Sequence, residues 1–134
     1  MTQQEFQQLI EETYLLAVKK TETINCLKGS GKVFQFEADD VGFTWHMDAF
    51  EEPVYCRGEA GKFTVKATMS SGNWIKFMGG ELSPVNAALT KKMKIEGASV
   101  ALTQLPLAVL RKAYQEAADL LQLGKSGPAK GNER

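Results

Sequence analysis

The hydrophobic pattern of this chain switches between a period of two and a helical period, and that restricts the fold more than any other feature. Between residues 33 and 70 the pattern alternates. Phe34, Phe36 and Ala38 stand against Val33, Gln35 and Glu37, and Phe43, Trp45, Met47 and Ala49 against Thr44, His46 and Asp48. Phe63, Val65, Ala67 and Met69 then stand against Thr64, Lys66, Thr68 and Ser70. A period of two puts one apolar row and one polar row on opposite sides of each strand. Three such runs predict a mainly antiparallel sheet with one packed face and one wet face. Asp39–Gly42 and Gly58–Gly61 read as turns, and Val54–Arg57 as a short strand after Glu51-Glu52-Pro53.

The flanks have a helical period. Phe6, Leu9, Ile10, Thr13, Tyr14, Ala17 and Val18 share one stripe, predicting a helix from about Thr2 to about Glu22. Ser70-Ser71-Gly72-Asn73 offers caps for a short helix through Trp74–Met78, which Gly79-Gly80 ends. Ser83 caps a second short helix with Pro84 at its first position, carrying Val85, Ala88 and Leu89. Met93 to Glu96 alternates again and stops at Gly97, giving a last strand. A final helix runs from Leu105 or Pro106 to Leu121 and presents Leu107, Leu110, Ala113, Tyr114, Ala117 and Leu120. This order predicts one α+β domain over residues 1–123, with about five mainly antiparallel strands and helices on one face. Residues 124–134 lack an apolar anchor and read as a disordered tail.

Composition narrows the function. With 134 residues the chain can bury one sizeable core without a disulfide or metal. Lys+Arg and Asp+Glu are both 16, a net charge of zero, which argues against a nucleic-acid binder held by phosphate contacts. Two cysteines and one histidine cannot build a structural zinc site. The polar N-terminus and the lack of a long apolar run predict a cytosolic protein with reduced thiols.

The candidate chemistry is sparse. His46 is the natural general base, yet its strand puts it on the polar face with Thr44 and Asp48, where a solvent-facing role suffices. Cys26 or Cys56 as a nucleophile would need that same histidine, and no spacing pairs them. Lys28-Gly29-Ser30-Gly31-Lys32 lacks the strand-to-helix context of a phosphate loop and reads as a turn. Asp39-Asp40 and Glu51-Glu52 supply too few ligands in series for calcium. No catalytic residue, metal or cofactor is therefore expected. What stands out is the aromatic and methionine content of the sheet's apolar row, which suits a filled core or a pliable lined cavity.

The segment Gly80-Glu81-Leu82-Ser83-Pro84-Val85-Asn86-Ala87-Ala88 through Met93-Lys94-Ile95-Glu96-Gly97 resembles the signature of the sterol carrier protein 2 family. Phe63–Phe77 resembles that family's strand and first short helix, and Gly31–Asp48 its first hairpin, so the similarity spans about residues 31–121. Lys91 stands where the family usually has glycine, so either that turn differs or Lys91 takes a positive φ. Ala98 replaces an acidic or amide residue, and the final residues are not a peroxisomal tripeptide. The resemblance implies a non-enzymatic carrier of a long-chain lipid (fatty acid, fatty acyl-CoA, sterol-like or phospholipid) in an apolar tunnel between sheet and helices. It implies as an alternative an accessory or oligomerisation module that presents an apolar substrate to a partner enzyme. Transient membrane contact and a homodimer are compatible with either. On this reading Phe36, Trp45, Met47, Val65, Trp74, Phe77 and Leu89 line the tunnel, and Leu107, Leu110 and Tyr114 close one side.

Overall fold

In the computed structural model, which describes residues 1–121, Thr2 opens the first helix with a reciprocal cap. Its hydroxyl accepts from the Glu5 backbone N–H, and the Glu5 carboxylate accepts from the Thr2 N–H. Helix α1 (Gln3–Lys19) buries Phe6, Leu9, Ile10, Thr13, Tyr14 and Ala17, the stripe the sequence predicts. It does not run on to Glu22. Lys20 takes an extended conformation (φ −77°, ψ 139°) and a second helix, α2 (Thr21–Leu27), follows at once. The break turns Thr23 and Leu27 into the core, and Lys20 forms an ion pair of 3.0 Å with Glu116.

Strands β1 (Lys32–Ala38), β2 (Phe43–Ala49), β3 (Val54–Arg57), β4 (Val65–Met69) and β5 (Lys94–Gly97) form one sheet in the order β3-β2-β1-β4-β5. The β1–β2, β2–β3 and β4–β5 ladders are antiparallel, and β1–β4 is parallel. The sheet is thus mixed. The parallel ladder arises because the chain leaves the edge strand β3 and must cross to the far side of β1. The crossing loop is pinned on the way. The His46 Nδ1–H donates to the Gly58 carbonyl at 2.8 Å, which fixes the tautomer because a carbonyl only accepts. The Ala60 N–H donates to Gln35 Oε1 at 2.9 Å, which explains why a glutamine on the polar row is buried. The crossing also corrects the start of β4. Alternation predicts Phe63 in its apolar row, but Phe63 belongs to the loop and is 39% exposed.

Past β4, Ser70 caps α3 (Ser71–Met78) and Ser83 caps α4 (Pro84–Leu89). Lys91 has φ 60°, the only positive φ on a non-glycine among the described residues, so it adopts the glycine conformation that its place in the motif requires. Gly97 closes the motif at φ +88°, where a Cβ would come within 2.5 Å of the Thr64 carbonyl oxygen. A 3-10 turn (Ser99–Gln104) leads into α5 (Leu107–Leu121), which lies against α1. Helices α1, α3 and α5 bury their apolar sides with the apolar row of the sheet in one cluster. The architecture is the predicted α+β fold. The tail expected at 124–134 lies outside the described residues.

Candidate functional site

Trp45, at the middle of β2, is the hub of an aromatic cluster. It stacks on Phe43 (5.4 Å between centroids) and meets Phe36, Tyr14 and Trp74 at 5.6, 5.8 and 5.2 Å. Alternation along β1 and β2 supplies Phe36, Phe43 and Trp45, while α1 supplies Tyr14 and α3 supplies Trp74. Edge-to-face and offset rings of this kind pack tightly.

Between the sheet and the helices lies a small void of about 10 Å³, room for roughly one water. Tyr14 and Ala17 of α1, Thr23 of α2 and Met47 of β2 form three of its sides, and Leu105, Pro106 and Leu110 close it. The void therefore sits where the α1–α2 elbow, the sheet and the start of α5 meet. Its lining is apolar except for the Tyr14 and Thr23 hydroxyls. Burial pushes the Tyr14 hydroxyl well above the ordinary tyrosine range, and the neighbouring Trp45 indole only partly opposes this.

Of the residues expected to line the tunnel, Phe36, Trp45, Met47, Val65, Trp74, Phe77 and Leu110 are buried together in one cluster. Tyr114 is half-buried against it. Met47 and Leu110 reach the void itself. Leu107 is 37% exposed at the start of α5. Leu89 is corrected outright as a core-facing residue: it is 75% exposed, because α4 turns Ala87 inward instead. Sequence reasoning leaves out Tyr14, Ala17, Thr23, Leu105 and Pro106 as lining residues. Tyr14 and Ala17 are legible as helix stripe, but Thr23 becomes inward-facing only through the break at Lys20.

The other candidate chemistry sits on the open face. The β2–β3 register places Cys56 directly opposite His46, a pairing that sequence spacing does not suggest. His46 is already engaged through Nδ1 as a pin of the crossing loop. Cys26 is exposed on α2, and both thiols are free. Among the described residues no group of three or more His, Cys, Asp or Glu could hold a metal ion. On β3, Tyr55 donates to Glu11 at 3.2 Å and Arg57 pairs with the same carboxylate, tying the edge strand to α1.

The sequence matches the family model of the SCP-2 sterol transfer family over residues 6–106. No curated protein sequence matches it significantly. Among solved structures it is similar to apo sterol carrier protein 2 from Yarrowia lipolytica (14% identity, 84% of this chain and 88% of that one, TM-score 0.56). It is also similar to sterol carrier protein 2 like 2 from Aedes aegypti (19% identity, 72% and 90%, TM-score 0.55). A third similar structure is the UbiJ-SCP2 ubiquinone synthesis protein (12% identity, 84% and 95%, TM-score 0.58). At these identities the likeness to each structure is one of fold.

Proposed function

Because the chain belongs to the SCP-2 sterol transfer family, we propose that it binds and carries a long-chain lipid, without catalysis, between the sheet and the α1–α5 layer. The observation that supports this best is the apolar void at the meeting point of the α1–α2 elbow, β2 and the lead-in to α5. A ligand entering there would wedge α5 and the elbow away from Met47 and take the hydrocarbon surface they now bury. Phe36, Trp45, Val65, Trp74, Phe77 and Tyr114 then form the wall of the opened site, with Leu107 at its rim.

The energetics allow it. A sixteen-carbon chain gains about 12 kcal/mol on burial at about 0.8 kcal/mol per methylene. Association costs offset an estimated 4–15 kcal/mol of such gains, and here the parting of packed helices adds to them. Micromolar affinity results when the displaced contacts are largely remade by the ligand.

Loading and unloading call for contact with a membrane. Among the described residues no helix is long and apolar enough to cross one. The exposed side of α4 carries Val85 and Leu89, 66% and 75% exposed and one turn apart. Every charged residue from Leu82 to Lys94 is basic: Lys91, Lys92 and Lys94. An apolar ridge beside three lysines is complementary to an anionic lipid surface.

Native mass spectrometry of the purified protein, set beside an organic extract of the same sample, tests the proposal. A co-purifying lipid at near-unit stoichiometry supports it. Clean protein that also takes up no added long-chain lipid overturns it and moves attention to partner proteins.

A further inference from the structure

Four buried side-chain atoms have no close hydrogen-bond partner among the described residues, and three of them, Tyr14 Oη, Thr23 Oγ1 and Trp45 Nε1, lie close together. Native cores leave few such groups, since each forfeits hydration without a replacement. Their placement is not scattered. Tyr14 and Thr23 sit on either side of the Lys20 break and line the same void. Trp45 abuts Tyr14 ring to ring at 5.8 Å. Thr13 Oγ1, also unpartnered, does not line that void.

The charge around the void is equally specific. Among the described residues that line it only Tyr14 is ionisable, and burial favours its neutral form. Lys20, at the break between Tyr14 and Thr23, is held by Glu116. We propose, resting on the lipid-binding reading above, that the ligand's polar end is a single uncharged oxygen, a hydroxyl or carbonyl, seated between Tyr14 and Thr23. Both hydroxyls donate to it, and its hydrocarbon runs along Met47 and Leu110. The Tyr14 oxygen lies against the Trp45 indole N–H and can accept from it while its own proton is given to the ligand. The three orphan atoms are then satisfied in one chain of hydrogen bonds, each strengthening the next. A carboxylate or phosphate end would bring an unpaired charge into apolar surroundings, which costs far more than the bonds return. A bare hydrocarbon end would leave the hydroxyls as unpaired as before.

The test compares four sixteen-carbon compounds on the full chain at neutral pH: hexadecanol, methyl hexadecanoate, hexadecanoate and hexadecane. Affinities are read by native mass spectrometry and by quenching of tryptophan emission. Hexadecanol and methyl hexadecanoate should each bind about tenfold or more tightly than hexadecanoate and hexadecane. In the Tyr14→Phe/Thr23→Val double variant that gap should close to about twofold, with hexadecane binding unchanged. Hexadecanoate binding as tightly as hexadecanol, or a double variant that keeps the gap, overturns the proposal and leaves lipid binding standing. Failure of all four compounds to bind the unmodified chain overturns the lipid-binding reading as well.

Discussion

Trp74 and Trp45 touch at 5.2 Å between ring centroids, yet of the two indoles only that of Trp74 is bonded to the backbone. The Trp74 N–H donates to the Glu37 carbonyl at 2.8 Å and fastens α3 to β1, whereas among the described residues the Trp45 N–H has only the Tyr14 hydroxyl beside it and makes no close hydrogen bond. The two rings are equally buried, so they differ in bonding and not in exposure.

That difference predicts opposite orders for stability and for binding. Trp74→Phe loses ring volume and a buried hydrogen bond, and Trp45→Phe loses ring volume alone. In urea unfolding, Trp74→Phe should be the less stable variant by about 1 kcal/mol. Lipid affinity should instead fall more for Trp45→Ala than for Trp74→Ala, because Trp45 backs Tyr14 at the void. Losses of affinity that simply track losses of stability would make both residues ordinary core.

The buried Tyr14 hydroxyl predicts an alkaline limit. Its folded pKa is raised above the ordinary 10.0, chiefly by desolvation. Tyr55 is raised too, by partial burial and then by the charge of Glu11. A raised pKa means that the folded state keeps a proton the unfolded chain releases. The contribution is therefore constant below about pH 10 and is lost as pH rises beyond it. Stability from urea titrations between about pH 8 and about pH 11 should bend downward near the tyrosine pKa, by up to about 1.4 kcal/mol per pH unit for each such group. Tyr14→Phe should make the bend shallower. An unchanged slope would mean that Tyr14 ionises as freely as in the unfolded chain.

Lys91 holds a left-handed conformation at φ 60°. That conformation costs an L-residue about 1–2 kcal/mol, and glycine's extra unfolded entropy returns about 0.4–1 kcal/mol of any gain. Lys91→Gly should therefore stabilise the protein by about 0.5–1 kcal/mol, seen as a higher urea midpoint with the same slope. A loss of stability would show that the lysine side chain compensates for its backbone.

The same turn shows how much of the fold is legible in the sequence. The resemblance of Gly80–Gly97 to the family signature marks Lys91 as standing at a glycine position, and alternation puts Phe36, Trp45 and Met47 on one face, because strand period and turn conformation are local properties. Periodicity misplaces Leu89 and Phe63 for the converse reason. Their orientation depends on how α4 and the crossing loop meet the rest of the fold, and apolar character alone does not encode that. Thr23 is invisible because Lys20 carries no breaker signal, and its extended backbone appears only with the tertiary fold around it. The void is illegible on the same ground: a few ångströms between elements far apart in sequence leave no mark on hydrophobic period.

The exposed ridge of α4 yields the last prediction. Val85 and Leu89 contribute nothing to the core, so Val85→Ser/Leu89→Ser should leave stability within about 0.5 kcal/mol of the original. Each side chain would gain about 1.5–3 kcal/mol on burial in a bilayer interface, and each of Lys91 and Lys92 about 1 kcal/mol beside anionic headgroups. Binding to vesicles containing phosphatidylserine, followed by sedimentation, should thus fall at least tenfold in the double serine variant. Lys91→Glu/Lys92→Glu should weaken binding to those vesicles but not to neutral ones, and added salt should mimic it. If neither pair of substitutions changes vesicle binding while lipid uptake stays intact, α4 is not the docking face. Size-exclusion mass measurements across protein concentrations would then show whether the ridge covers a second copy instead.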